Sequence, residues 1–206
     1  MKLFYAPGAC SLGIHVLLEE VGLPYDAVRV NLREGEQRKP AFAAVNPKGK
    51  VPALERDDGA VLTEYPAIAY WIAATNPEAG LLPQGTEAIA RAMEVTDYVV
   101  ATVHMQGFGR IFRPEAFAPS AADHDAVRKQ GEDIFTKGLA LLDERLAGRE
   151  WVGDAYSFAD TAVFYACFWW AGRLKKELPA NVARHYAAML DRPAVRRAME
   201  AEGLAA

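Results

Sequence analysis

The spacing of apolar residues changes period twice within the first thirty positions. Lys2 to Tyr5 alternates polar and apolar side chains, the two-residue period of a strand, and Pro7-Gly8 then marks a turn. From Leu12 onward Leu12, Val16 and Ile14, Leu17, Leu18, Val21 recur at helical spacing, with Ser11 as N-cap or first-turn hydroxyl. Gly22-Leu23-Pro24 stops that helix. Val28, Val30 and Leu32 alternate with Arg29 and Asn31, which predicts a second strand, parallel to the first through a right-handed crossover. Arg33 to Lys39 reads as a charged loop, and Pro40 to Val45 as a short helix.

Asn46-Pro47-Lys48-Gly49-Lys50-Val51-Pro52 is turn-rich, and Val51-Pro52 is a candidate cis peptide bond. Asp57-Asp58-Gly59 predicts a hairpin between Ala53–Arg56 and Ala60–Leu62. Ile68, Ala69, Trp71, Ile72 and Ala73 then follow helical spacing, with Pro66 in the first turn and Thr63 as the cap. Past Asn76-Pro77 the pattern changes. Residues 79–86 read as a linker, and from Glu87 onward Ala-rich helical segments follow one another without a convincing strand. The chain is therefore predicted to divide into an α/β domain over residues 1–78 and an all-helical domain over 87–206.

Composition narrows the function classes. At 206 residues, 51% hydrophobic and 24% charged, the chain has the balance of an ordinary soluble protein. A net charge of −4 argues against nucleic acid as the partner. Charged residues interrupt every apolar run before membrane-spanning length, and the first residues read as a strand rather than a secretory signal. Two cysteines far apart do not make a disulfide framework, so a reducing cytoplasm is the expected compartment.

Cys10 is the first candidate for chemistry. A helix N-terminus favours an anion, which would stabilise the thiolate, the nucleophilic form. A small buried apolar residue is the competing reading. In the helical half, Asp97 and His104 lie seven residues apart on one predicted helix, which returns them to one face; a solvent-facing stripe is the bland alternative. Gly107-Phe108-Gly109 follows and is expected to loosen the helix. Ser157-Phe158-Ala159-Asp160 reads as a capping box with an acidic third member, and Cys167, Phe168, Trp169 and Trp170 as core. His15, His124 and His185 have no ligand-spaced partners, so a metal is not expected.

Taken together, Met1-Lys2-Leu3-Phe4-Tyr5-Ala6-Pro7-Gly8-Ala9-Cys10-Ser11-Leu12, Asn46 to Leu54, Leu62-Thr63-Glu64-Tyr65-Pro66-Ala67-Ile68 and Ser157 to Asp160 resemble the cytosolic glutathione S-transferases, specifically the bacterial beta class, in order and spacing along the whole chain. The resemblance implies a thioredoxin-like N-terminal domain that holds glutathione, a helical domain carrying an electrophile site, and a homodimer. It implies catalytic parts for Cys10, Ser11 and His104. It further implies glutathione contacts for Tyr5, Lys50, Val51, Pro52, Glu64 and Tyr65, and for Asp97 from the other subunit. Three departures stand out: Met105 where relatives often have lysine, Tyr65-Pro66 in place of a glycine-containing pair, and Gly13-Ile14 in place of Ser-Pro. The expected activity is conjugation of the glutathione thiolate to an apolar electrophile, with thiol-disulfide exchange through Cys10 in addition. A glutathione-dependent disulfide reductase and a non-catalytic binder of glutathione or apolar ligands are the alternatives.

Overall fold

The computed structural model describes residues 1–204. Four short strands, β1 (Lys2–Tyr5), β2 (Asp26–Arg29), β3 (Ala53–Glu55) and β4 (Val61–Thr63), form one mixed sheet in the order β2-β1-β3-β4. β1 pairs in parallel with β2, Leu3 opposite Ala27, and antiparallel with β3, Leu3 opposite Leu54; β4 completes the predicted hairpin. The second strand sits earlier than its alternation suggests. Its ladder ends where β1 ends, at Tyr5 opposite Arg29. Val30 still reaches the Tyr5 carbonyl at 2.7 Å, after which the Glu36 carboxylate takes the Asn31 N–H and turns the chain away.

Helix α1 (Ser11–Val21) follows β1, α2 (Pro40–Val45) follows β2, and α3 (Tyr65–Thr75) follows β4. The alternation of side chains along the strands divides the apolar residues between two faces. Phe4 and Val30 join Ala6, Val51 and the α2 residues Phe42 and Val45 in a small core on one side. Leu3 and Leu54 point to the other, where α1 and α3 pack and Leu12, Leu17, Ile68 and Ile72 are buried. Every α1 residue from Ser11 to Leu18 is buried, because α9 (Pro193–Ala201) covers the side that the sheet and α3 leave open. A helix apolar all round is a buried helix. Arg192 binds Glu20 at 2.6 Å, and Arg197 binds Glu19 at 2.7 Å. The compact unit built on the sheet is thus Met1–Pro83 together with the segment from Ala188 onward, and Gln84–Ala187 forms the second.

The second unit is helical. A continuous helix begins as α4 (Thr86–Asp97), widens into a π-helical stretch over Tyr98–Phe108, and ends as α5 (Gly109–Phe112). At its close the Gly109 N–H reaches back five residues to the His104 carbonyl. Gly107 lies within this widened stretch, where there is no room for a side chain. A Cβ there would stand 3.3 Å from the Phe135 nitrogen, and one on Gly131 would stand 2.6 Å from the Gly107 carbonyl oxygen. The glycines instead let this helix lie backbone to backbone on α6 (His124–Arg145). Helix α7 (Phe158–Cys167) begins at the predicted capping box: Ser157 N–H donates to Asp160 Oδ2 at 2.9 Å, and the Ser157 hydroxyl accepts from Ala159. Fully buried, Asp160 also accepts from Val152 N–H at 3.0 Å and lies 2.9 Å from His185 Nε2 on α8 (Ala180–Asp191). After α7 a second π-helical stretch, Phe168–Arg173, carries Trp169 and Trp170 into the core; Trp170 stacks on Phe135 at 4.7 Å and donates to the Glu177 carbonyl. Among the described residues no helix is long and apolar enough to cross a membrane.

Candidate functional site

In the first unit the site is built where loops meet two helix starts. The β1–α1 turn carries Gly8 at φ 62°, in the left-handed region that favours glycine, and delivers Cys10 as the residue capping α1. Ser11 is the first helical residue. Its buried hydroxyl accepts the Ala6 N–H at 3.2 Å and donates to the Ala6 carbonyl at 3.3 Å, so it closes the turn on itself. Across from it the 46–52 loop is held by Asn46, whose side chain donates to the Lys50 carbonyl at 2.7 Å and accepts from Lys48 N–H. Val51-Pro52 is cis, and the Cys10 thiol donates to the Val51 carbonyl at 3.4 Å.

The electrostatics reverse the thiolate expectation. Burial pushes the Cys10 thiol up to about 12; the N–H groups of Cys10 and Ser11 and the charge of Lys50 pull the other way without overcoming it. A helix N-terminus helps a thiolate only as far as its dipole outweighs lost hydration, and here hydration dominates. Tyr5, one turn earlier, is also raised, first by burial and then by the Glu202 carboxylate.

The start of α3 forms the other side. Glu64, not Thr63, precedes the first helical residue, and it holds φ 71°, a conformation that costs a non-glycine residue about 1–3 kcal/mol. Thr63 is the last residue of β4, and its hydroxyl accepts from Lys48 Nζ at 2.9 Å, while the Glu64 carboxylate accepts from the same ammonium at 2.8 Å. The turn at Glu64 directs the buried Tyr65 into the first turn of α3, where backbone N–H groups have no carbonyl within the helix. Lys50 is exposed beside this loop.

One loop therefore touches both helix starts: Val51 meets Cys10 at α1, and Lys48 meets Glu64 at α3. The β1–α1 turn, the cis-proline loop and the positive-φ Glu64 before α3 therefore meet on one β2-β1-β3-β4 sheet. A family model for the "Glutathione S-transferase, N-terminal domain" matches residues 8–75. The glutathione S-transferase GstA of Escherichia coli O157:H7 is 37% identical over 99% of this chain and 100% of its own. The chain belongs to the glutathione S-transferase family. Two solved transferases agree along the full length of both chains: a sphingomonad enzyme complexed with glutathione, 36% identical with a TM-score of 0.86, and the bacterial beta-class enzyme of Sphingomonas chungbukensis, 34% identical with a TM-score of 0.86.

In the second unit of this transferase chain, His104 lies on the first π-helical stretch and Asp97 at the end of α4. The shared face predicted for them assumed a regular α-helix between them, and the wider π turn changes the angle per residue. Asp97 is exposed, whereas the His104 ring packs edge-on to Trp169 at 4.6 Å and lies 3.4 Å, Nδ1 to hydroxyl, from Tyr165. Trp169 also stacks on Phe108 at 4.1 Å, and Phe108 on the exposed Phe112 at 5.5 Å. The two π-helical stretches thus bring His104 and an aromatic ladder together. Lys48 and Glu202 are two contributors that motif reading passed over. Lys48 carried a signal, since it sits inside the proline-rich loop motif; Glu202 carried none, because its partners are nearly two hundred residues away.

Proposed function

We propose that this transferase binds glutathione on the first unit and conjugates its sulfur to an apolar electrophile. The observation that carries the reading is the 46–52 loop bridging the starts of α1 and α3. The tripeptide has a zwitterionic γ-glutamyl end, an extended peptide in the middle that carries the thiol, and a glycyl carboxylate. In the proposed complex Glu64 takes the ammonium and the Tyr65 N–H takes the carboxylate at the start of α3. Val51, before Pro52, pairs with the cysteinyl backbone, and the exposed Lys50 offers a cation to the glycyl carboxylate. Lys48 holds Glu64 in its absence and yields it to the ammonium.

The sulfur then lies by the β1–α1 turn, near Tyr5, Cys10 and Ser11. Conjugation requires the glutathione thiol to release its proton to solvent water and the sulfur to donate an electron pair to carbon while the leaving group departs with the bonding pair. Backbone N–H groups at the start of α1 supply donors for the developing thiolate. We assign the chain to a homodimer in which Asp97 meets the ammonium of the glutathione bound by the partner, and to a reducing cytoplasm, where glutathione is available as the co-substrate.

Calorimetric titration with glutathione tests the first step. Losing one charge-assisted contact costs about 1.5–3 kcal/mol, so Glu64→Ala is expected to weaken binding by at least tenfold. Equal affinity in the variant and the native protein excludes Glu64 from the site.

A further inference from the structure

Glu202 stands just beyond α9, and its carboxylate is wholly removed from solvent. Oε2 accepts the Gly8 N–H at 2.7 Å, and Oε1 lies 2.9 Å from Nδ1 of His15, a fully buried side chain on α1. Among the described residues Nε2 of His15 has no hydrogen-bond partner, so Nδ1, facing Glu202, is the ring nitrogen that is engaged. The imidazole is fixed between Tyr5 at 5.4 Å and Tyr25 at 5.6 Å, and the Tyr25 hydroxyl is itself spent on Glu19 at 2.6 Å. A buried carboxylate persists only when its oxygens are matched by donors. Here the donors are the backbone of the thiol turn and a histidine held for that purpose.

Fastening α9 to α1 does not require this arrangement. Arg192 with Glu20 and Arg197 with Glu19 already join the two helices nearer the surface. What Glu202 adds is a grip on Gly8, the positive-φ residue two places before Cys10. We propose that Glu202 is a positioning residue for the thiol turn: oriented by His15, it fixes the Gly8 N–H and with it the place of Cys10 and of the N–H groups at the start of α1. The C-terminal segment thereby presets the end of the site that receives sulfur. This role rests on the reading of that turn as the sulfur-binding end.

The arrangement has an electrostatic consequence. The Glu202 charge raises the Cys10 thiol, on top of the larger effect of burial and against the pull of Lys50. Three variants separate the roles, with Arg197→Ala as the control, since it removes one of the two outer tethers to α1 without touching the turn. The readouts are KM and kcat with glutathione and an aryl halide, melting temperature, and the rate at which iodoacetamide alkylates Cys10, followed by peptide mass at fixed pH. The alkylation needs no glutathione, so it tests the clamp even if glutathione is not the ligand.

Misplacing a reacting group by about 1 Å can cost up to 10²-fold in rate. Glu202→Ala is expected to raise the glutathione KM about tenfold or more, whereas Arg197→Ala lowers the melting temperature and leaves KM unchanged. Glu202→Gln keeps one oxygen for the Gly8 N–H but sets its amide NH2 against Nδ1 of His15, so it loosens the grip in part: its KM rises by less than that of Glu202→Ala, and Cys10 alkylates faster in both Glu202 variants than in Arg197→Ala. The proposal is overturned if Arg197→Ala reproduces the KM change of Glu202→Ala, or if Glu202→Ala leaves KM at the native value. Should Glu202→Ala fail to fold, Glu202→Gln decides alone, and a native KM together with a native alkylation rate in it overturns the proposal.

Discussion

Replacing Cys10 by alanine separates two uses of the same turn. The Cys10 thiol is pushed up to about 12, first by burial, from an ordinary value of 9.0. At pH 7 that leaves a thiolate fraction on the order of 10⁻⁵, about 10³-fold below that of an unperturbed cysteine. Forming the thiolate costs roughly 4 kcal/mol more than it does in a solvated cysteine. A group in that state is poorly suited to resting attack on an electrophile. Conjugation uses the sulfur of glutathione, so Cys10→Ala is expected to retain conjugation of an aryl halide within about threefold, a loss under 1 kcal/mol. Reduction of a glutathione mixed disulfide, which needs a protein sulfur, is expected to fall to background. Steady-state rates on both substrates measure this, with iodoacetamide alkylation of the native protein at pH 7 as a direct probe of the thiolate. Loss of conjugation in Cys10→Ala, or alkylation as fast as that of a small free thiol, refutes the reasoning.

Two further predictions concern stability. Asp160→Ala removes a buried acceptor serving Ser157, Val152 and His185 at once, and at about 1.5–3 kcal/mol for each charge-assisted bond the loss exceeds roughly 4 kcal/mol; urea unfolding measures it, and a midpoint near the native one contradicts it. Burial tends to raise Asp143, but the Val182 N–H and the Asn181 side chain outweigh it and hold this carboxyl below its ordinary value. A depressed folded value means that the contribution of Asp143 is complete above the unfolded value, near about 3.9, and is lost as pH falls through the lower folded one. Melting temperatures from pH 6 to pH 2.5 are therefore expected to fall less steeply in Asp143→Asn than in the native protein, and identical slopes count against this.

The strands, the crossover, the hairpin and the α7 cap were readable because each depends on neighbours in sequence: alternation, Pro7-Gly8, Asp57-Asp58-Gly59, and Ser157 with Asp160. What failed depends on partners elsewhere. Leu32 continues the alternation of β2 yet is exposed, because β1 has already ended opposite Arg29. Gly107 looked like a hinge; its reason is the backbone of α6, specified by Gly131 twenty-four residues later. The π-helical widening between Asp97 and His104 has no period that eleven mostly apolar residues can advertise. Which of the two readings of the Cys10 thiol dominates stayed open for a related reason. Its place at a helix start is local and legible, whereas the burial that outweighs the dipole comes from packing around it. The Glu202 contact to Gly8 joins residues 194 apart in sequence, beyond any spacing rule.

The central claim is that the β1–α1 turn receives the sulfur of glutathione and stabilises it as a thiolate, while the protein's own Cys10 stays protonated. Ultraviolet difference spectroscopy near the thiolate absorption band, recorded on the Cys10→Ala protein as glutathione is titrated in at several pH values, tests it most directly. Saturable absorbance that appears below the pH at which glutathione ionises in solution, and that diminishes in Cys10→Ala proteins carrying Glu64→Ala, is the predicted result. Absorbance that follows glutathione in solution at every pH contradicts the account.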